Sequence, residues 1–368
     1  MNEQPLRAAW QWFFIGTLML LVAAVATVFF LLNWLDRAGD PALNPSVPSQ
    51  QLIENLRRTG RPVQALYVVE ADALANGWTP QAFRLAGDLW REIGDQYAAA
   101  AYWERAALTL SDDLPLMRDL AQSYLDLGEY QSAADALSRV LALEPDLNDQ
   151  NWAAYHLGLI RAAAHPPPLE ALELALREPA YAPIVSPVLQ ALTAETPDTS
   201  RALDVGIALV SVEQWAYAEI AFEQAVADPE YAALALAYTG WVRDMQGEDG
   251  GSEIRRAIVL APNDARVRFV YGLHLRAVSD NAASLLAFEQ AVALDPTRPA
   301  AFAELARAYA IMGDRSTAQY WFESALALSN NDPRYQALLD QFYAQEADLR
   351  ASIGLDAPEA VPAVTAEP

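Results

Sequence analysis

The sequence lacks cysteine and lysine entirely, and only three of its 368 residues are histidine. Without cysteine there can be no disulfide, no thiolate nucleophile, no zinc–cysteine site and no iron–sulfur cluster. Without lysine there is no P-loop lysine and no Schiff-base lysine. These absences exclude many of the commoner enzyme and cofactor-binding classes.

Basic residues are also scarce. All 24 are arginine and they face 48 acidic residues, which leaves a formal net charge of −24. Nucleic acid is therefore not an expected partner, because binding to a phosphate backbone depends on an excess of positive charge. The histidines, His156, His165 and His274, do not have metal-ligand spacing. Neither a Gly-x-Ser-x-Gly elbow nor a glycine-rich phosphate loop is present. We predict no catalytic residue, no cofactor and no metal, and the remaining alternative is an enzyme with an unrecognised site.

Apolar residues are abundant, at 53% of the chain, and one long run of them lies near the N-terminus. Residues 8–35 contain no ionisable side chain, and as a helix they would span about 42 Å, more than the ~30 Å of a hydrocarbon core. Trp10, Trp12 and Trp34 lie where an aromatic belt is expected. We predict that residues 1–35 form a single transmembrane anchor. The alternative is a signal peptide cleaved near Ala26. The apolar run of this chain is longer than the roughly 7–15 apolar residues that are usual in signal peptides.

The flanks of this run bear on topology. Arg7 precedes it and Arg37 follows it, so the arginine count is nearly balanced and slightly favours a cytoplasmic N-terminus. We therefore expect a bacterial plasma-membrane protein whose body is extracytoplasmic. Residues 36–50, with three prolines among small polar residues, are predicted to be a proline-rich linker.

A period of 34 residues runs through the body of the chain. Segments that carry the same residue types at the same offsets begin at Pro80, Leu114, Ala265 and Pro299. Within the last segment the apolar residues recur at the i, i+3, i+4, i+7 spacing of one helix face, namely Phe302, Leu305, Ala306 and Tyr309. Gly313 and Asp314 break that helix, and a second apolar pattern follows them. Weaker copies begin at Thr199 and Tyr231.

These segments resemble the tetratricopeptide repeat, whose unit is a pair of antiparallel helices. The resemblance implies an all-α fold, a right-handed superhelical solenoid of stacked helical hairpins, here preceded by one transmembrane helix. It divides the body into a degenerate capping hairpin (51–79), two repeats (80–147), an irregular degenerate helical segment (148–198), four repeats (199–332), a C-terminal capping helix (333–350) and a disordered tail (351–368). For the proline-rich segment 148–198, a separate small domain is the alternative.

In proteins of the family that these repeats resemble, positions 2, 5, 9 and 12 of each repeat line a concave groove that binds a partner polypeptide. Carried over to this chain, those positions imply a peptide-binding groove that includes Arg84, Arg91, Arg118, Leu203, Ile207, Val242, Phe269, Leu273 and Arg276. Its apolar part would suit an amphipathic helix or an extended peptide. The alternative is that these side chains pack internally or are only solvated. The lysine and asparagine clamp with which some relatives hold acidic chaperone tails is missing.

Together, these features predict a membrane-anchored scaffold that mediates protein–protein interaction and complex assembly at the membrane. The alternative function is a chaperone or assembly factor for exported or membrane-inserted polypeptides, which an anchor combined with an apolar groove would also suit.

Overall fold

The computed structural model describes residues 49–164, 169–194 and 198–352. The described residues form α-helices and turns and contain no strand, so the predicted all-helical fold is confirmed. Of the described helices, none combines the length and the apolar content needed to cross a bilayer. The predicted anchor at residues 8–35, almost all of the linker at 36–50 and residues 353–368 of the predicted tail lie outside the described residues.

The chain divides into two compact units, with the boundary between residues 143 and 144. Unit 1 contains six described helices: α1 (Ser49–Arg58), α2 (Pro62–Asn76), α3 (Pro80–Ile93), α4 (Gln96–Ala107), α5 (Leu114–Asp126) and α6 (Tyr130–Ala142). Consecutive helices pair as the hairpins α1–α2, α3–α4 and α5–α6. The second helix of one hairpin also packs against the first helix of the next, so unit 1 is a stack of hairpins.

Unit 2 contains α7 (Leu147–Ala164), α8 (Glu170–Ala175), α9 (Ala182–Thr193), α10 (Asp198–Ser211), α11 (Trp215–Ala225), α12 (Ala232–Met245), α13 (Gly251–Leu260), α14 (Ala265–Ala277), α15 (Asn281–Leu294), α16 (Pro299–Ile311), α17 (Arg315–Leu328) and α18 (Pro333–Ser352). Four regular hairpins follow one another, α10–α11, α12–α13, α14–α15 and α16–α17, and α18 packs against the last.

The helices that precede these regular hairpins contain most of the segment with many prolines. α7 packs against α8, α9, α10 and α11, so this segment is part of unit 2. Gly158 lets α8 approach α7 closely, because a Cβ at this glycine would lie 2.6 Å from a methyl carbon of Leu172. The Tyr155 ring stacks on the Tyr181 ring with centroids 4.3 Å apart.

Short side chains and glycines define where the regular helices begin and end. The carboxylates of Asp95 and Asp314 accept hydrogen bonds from the backbone N–H groups of Ala98 (2.9 Å) and Thr317 (3.1 Å), which caps α4 and α17. In the turns that precede these caps, Gly94 and Gly313 have φ angles of 96° and 86°, which residues other than glycine rarely adopt. The sequence therefore specifies the same tight turn in both units.

Within three hairpins, a glycine on the first helix faces a fully buried aromatic ring on the second. The pairs are Gly87 with Trp103, Gly206 with Phe222 and Gly272 with Phe288. A Cβ at any of these glycines would lie 2.3–2.6 Å from a ring carbon, so only glycine allows the helices to approach this closely. The small residue and the aromatic residue that recur in the 34-residue pattern thus contact each other across the two helices of a hairpin. We call this contact the aromatic joint.

Between hairpins, a tyrosine hydroxyl repeatedly donates to a glutamate on the preceding second helix. Tyr309 donates to Glu289 (2.6 Å), Tyr343 donates to Glu323 (3.0 Å), and Tyr124 donates to Glu104 in unit 1. The tyrosine follows the glutamate by 20 residues in all three pairs. Because Tyr343 lies on α18, that helix occupies the place of a first helix in a further repeat.

Candidate functional site

In unit 1, the predicted groove arginines belong to an internal network of charges. Asp119 on α5 accepts from Arg84 (2.5 Å) and from Arg91 (2.6 Å), both on α3. The two guanidinium groups lie over the Trp103 ring, 5.8 Å and 5.1 Å from its centroid. The indole N–H of Trp103 donates to Asp88 (3.0 Å), whose pKa is raised by burial. These contacts hold Arg84 and Arg91 within the unit, although Nη1 of Arg84 is buried without a hydrogen-bond partner among the described residues. Arg118 is exposed.

In unit 2, most of the predicted apolar groove residues are in the core. Leu203, Val242 and Leu273 are buried, and Leu273 packs in a cluster with Phe288 and Leu305. The Phe269 ring is half-buried beside them, which leaves Ile207 as the exposed apolar side chain of the set. In the described structure these residues therefore supply packing more than accessible surface.

Arg276 is the predicted groove residue that the structure places at a cavity. The cavity has a volume of ≈ 300 Å³ and lies among α14, α16, α17 and α18. Its lining residues are Arg276, Arg307, Ala310, Ile311, Phe322, Leu338, Gln341, Phe342 and Gln345. We refer to it as the terminal cavity. Because guanidinium groups and apolar side chains both line it, the cavity is suited to a partner segment that is both anionic and apolar.

One carboxylate serves both arginines of the terminal cavity. Glu304 on α16, 14% exposed, accepts from Arg276 of α14 and from Arg307 one turn further along α16 (2.8 Å). Two guanidinium groups therefore share one negative charge, and both remain partly exposed. An additional carboxylate arriving at the cavity would find positive charge that Glu304 does not neutralise.

The apolar residues that line the terminal cavity differ in exposure: the aromatic residues at its base are buried, and the aliphatic residue at its rim is exposed. Phe322 and Phe342 are buried and in ring contact, with centroids 5.2 Å apart. Ile311 at the rim is 52% exposed, and the amide side chains of Gln341 and Gln345 complete the lining. A partner side chain entering here would meet a fixed aromatic base and would bury the exposed part of Ile311.

The sequence prediction missed Arg307, Ala310 and Gln341, although the same register would have found them. Arg307 and Ala310 occupy positions 9 and 12 of the segment that begins at Pro299. Gln341 occupies position 9 counted from Pro333, which follows Pro299 by 34 residues. Continuing the repeat into the closing helix is the signal that identifies this surface.

Two of the histidines have structural partners in unit 2. His274 Nδ1 lies 2.5 Å from Asp244 Oδ2, while the other oxygen of Asp244 accepts from the backbone N–H of Gly250 (3.1 Å). His156 Nδ1 lies 2.7 Å from the Tyr217 hydroxyl, and burial lowers the pKa of His156 to about 4. Within the part of the chain that the structure describes, no group of three or more histidine and acidic side chains converges in a way that could hold a metal ion.

Comparison with known proteins assigns part of the chain to a family. Residues 275–342 match the tetratricopeptide repeat family model, a range that holds every lining residue of the terminal cavity except Gln345. No curated protein matches the chain. The family match is thus local, and it falls on the last repeats of unit 2.

Solved structures similar to the chain have low identity to it. Human IFIT1, solved as a dimer with m7Gppp-AAAA, is 16% identical, and the match covers 85% of this chain and 75% of that one with a TM-score of 0.34. A tetratricopeptide repeat protein from Parabacteroides merdae is 15% identical over 71% of this chain and 97% of that one, with a TM-score of 0.32. MamA from Desulfovibrio magneticus is 16% identical over 69% and 96%, with a TM-score of 0.23.

Proposed function

We propose that this protein is a non-catalytic repeat scaffold that binds segments of other polypeptides at a membrane and helps to assemble them. The observation that carries the proposal is the terminal cavity, whose lining residues, except Gln345, lie within the residues that match the tetratricopeptide repeat family. Repeats of stacked hairpins present side chains of their first helices to partners, and such sites bind rather than catalyse. A polypeptide partner is favoured over nucleic acid because the chain carries a net charge of −24.

The partner segment proposed for the terminal cavity combines a carboxylate with apolar side chains. Its carboxylate would share Arg276 and Arg307 with Glu304, and its apolar part would cover Ile311 and the aromatic base. An extended or helical segment of a membrane-associated complex has the appropriate chemistry.

A photocrosslinking amino acid at position 311, introduced into the full chain in cells, tests the binding site. We expect a few defined adducts, and we expect them to disappear in the Arg276→Gln/Arg307→Gln variant. This variant should stay folded with a melting temperature a few degrees lower, since Glu304 loses both of its guanidinium partners. The same crosslinker at Leu108, which is 85% exposed in unit 1, is the matched control. Adducts that persist in the double variant would refute the site. Many weak adducts with unfolded chains would favour the alternative role as a chaperone or assembly factor.

Membrane attachment through residues 8–35, with the repeats on the extracytoplasmic side, is also part of the proposal. Replacing Val22 and Val25 with arginine puts two charges at the centre of the predicted span, each costing about 2.5–3.5 kcal/mol on insertion. We expect the variant to leave the membrane fraction. Protease added to intact cells reports the side, and digestion of the repeats only after lysis would contradict the extracytoplasmic assignment.

A further inference from the structure

Positive charge is concentrated in one stretch of this acidic chain. Residues 254–279 contain five of the 24 arginines but only one of the 48 acidic residues. Part of this stretch forms a surface on α13 and at the start of α14, on either side of the turn that joins them. We call this surface the basic corner, and it consists of Arg255, Arg256, Val259, Leu260 and Arg268. It uses no residue of the terminal cavity.

The arginines of the basic corner are only partly offset by nearby carboxylates. Against the effect of burial, a hydrogen bond from Ser252 and the charges of Arg243 and Arg256 lower the pKa of Glu253. Arg255 and Arg256 are exposed, and neither forms an ion pair with any residue in the described ranges. The Arg268 side chain donates to the backbone carbonyl of Pro262 (2.8 Å), which orders it against the turn without removing its charge. In contrast, Arg243 on the preceding helix α12 is shared among three glutamates. The basic corner therefore presents net positive charge locally.

Two aliphatic side chains project beside these arginines. Val259 is 80% exposed and Leu260 is 61% exposed, while Ile254 and Ala257 hold the opposite face of α13 in the core. Together with Ser252, the residues of the α13 face line an open, mainly apolar depression of ≈ 500 Å³. Helix α13 thus has one face packed in the repeat and another that is basic and aliphatic in water.

We infer that the basic corner docks on an anionic lipid surface. Lipid phosphates would neutralise Arg255, Arg256 and Arg268, and the long arginine side chains would lie along the interface with their charged ends in the headgroup layer. Val259 and Leu260 would enter the boundary between headgroups and acyl chains. An acidic protein surface would satisfy the arginines, but a bilayer also supplies an apolar layer for two side chains at the end of a helix.

The basic corner and the terminal cavity are different surfaces. Docking of the basic corner on lipid would therefore be compatible with the binding of a partner at the terminal cavity. If residues 8–35 cross the membrane, the 15 residues of the proline-rich linker, at about 3.1 Å per residue, would hold the start of the repeats within roughly 46 Å of the bilayer. At that effective concentration a weak contact is enough to orient the repeats. The same contact would be weak for a free body with a charge of −24, because the remaining acidic surface is repelled by anionic lipid.

Because the chain has no cysteine, a single introduced cysteine can be labelled without background. The full chain with Leu260→Cys, labelled with the fluorophore NBD, is reconstituted with nanodiscs of phosphatidylcholine, with or without phosphatidylglycerol, and quenched by doxyl-labelled lipid. We expect quenching only with phosphatidylglycerol. The Arg255→Gln/Arg256→Gln variant should lower the ratio of docked to undocked protein roughly 30-fold. The matched control is Arg177→Gln/Arg334→Gln, which removes the same charge from other exposed positions.

Each other outcome overturns the inference. Absence of lipid quenching with phosphatidylglycerol would show that the basic corner does not reach the bilayer. Equal quenching in neutral lipid, unaffected by the Arg255→Gln/Arg256→Gln substitutions, would show that the contact is a passive result of tethering. A change in NBD emission that depends on protein concentration and needs no lipid would identify a second copy of the chain as the occupant.

Discussion

Each unit carries one set of two arginines that share a carboxylate on the first helices of its repeats, and the two sets differ in what lies beside them. In unit 1, Arg84 and Arg91 share Asp119 and cover the Trp103 ring. In unit 2, Arg276 and Arg307 share Glu304 at the edge of the terminal cavity. The two sets also differ in charge balance. In unit 1 a second carboxylate, Asp88, pairs with Arg84 (3.2 Å), whereas in unit 2 Glu304 alone, among the described residues, serves both arginines beside a cavity.

The largest effects are expected at the buried aromatic joints of the two units. Trp103→Ala and Phe288→Ala should each cost about 3–5 kcal/mol, since each removes a fully buried ring that faces a glycine. Hydrogen exchange measured by mass spectrometry should accelerate mainly in α3–α5 for the first variant and mainly in α14–α16 for the second.

Exposed residues on the same helices provide the controls for these joints. Tyr97→Ala on α4 and Leu286→Ala on α15 remove large apolar side chains that lie at the surface. Both should change stability by less than about 0.5 kcal/mol. If Trp103→Ala and Phe288→Ala accelerated exchange in the same regions, the two units would not respond independently and the comparison between them would fail.

The next largest difference between the two units should be in how mild acid changes their stability. Burial lowers the pKa of His156 in unit 2 from 6.5 to about 4, so below pH 6.5 the unfolded chain binds a proton that the folded chain does not. Stability is therefore lost as the pH falls, by at most about 2 kcal/mol at pH 5 and about 3 kcal/mol at pH 4. Unit 1 has no histidine, and burial raises the pKa of Asp88, so the contribution of Asp88 to the stability of unit 1 increases as the pH falls through that pKa.

Urea unfolding at pH 7 and pH 5, followed by hydrogen exchange in each unit, measures this difference. The variant His156→Asn keeps an acceptor for the Tyr217 hydroxyl and removes the titrating group. In this variant the extra acid sensitivity of unit 2 should disappear. Equal acid sensitivity of both units, or sensitivity that survives the substitution, would show that other groups govern the response.

The carboxylates of the two arginine sets give intermediate effects. Asp119→Asn should cost about 1–2 kcal/mol, because it leaves two half-buried guanidinium groups with weaker acceptors. Glu304→Gln should cost a similar amount, and in addition it frees Arg276 and Arg307 for a partner carboxylate. Thermal melting measures the first effect, and the yield of crosslinked partner from position 311 measures the second. A rise in yield with Asp119→Asn but not with Glu304→Gln would reverse our assignment of the two sets.

The repeat spacing predicted the helices more completely than it predicted the site. Helices begin at Pro80, Leu114, Ala265 and Pro299, where proline or a capping acid coincides with the 34-residue period. These local signals depend on residues near in sequence. The accessibility of a groove position depends instead on neighbouring helices, as in the burial of Leu273.

The structure also explains why only part of the predicted groove reaches the surface. Val242 and Arg276 both occupy position 12 of their repeats, but Val242 is fully buried. Arg276 is partly exposed at the terminal cavity, to which α18, the last of the described helices, contributes part of the lining. At the position where Gly272 and Ala306 admit a second helix, α18 has the exposed Asp340. Sequence reasoning that ended the repeats at residue 332 did not carry the register into α18, and it therefore missed the residues that α18 contributes to the cavity.

The smallest expected effects concern the joints between hairpins, where the two units should agree. Tyr309→Phe in unit 2 and Tyr124→Phe in unit 1 each remove one hydroxyl that donates to a glutamate, at about 0.5–1 kcal/mol. The bond to Glu289 raises the pKa of Tyr309 to about 12, in keeping with a hydroxyl that remains a donor. Double-mutant cycles with Glu289→Gln and Glu104→Gln measure the two coupling energies.

Equal couplings would mean that the units are built from the same joint and differ mainly in the surroundings of their arginine sets. A coupling present at Tyr309 and absent at Tyr124 would mean that the repeats of unit 1 are held together differently. The closure of Arg84 and Arg91 over Trp103 would then be part of how unit 1 stacks, since the arginines and Asp119 also join two consecutive hairpins. In that case Asp119→Asn should loosen the contact between α3 and α5 far more than Tyr124→Phe does.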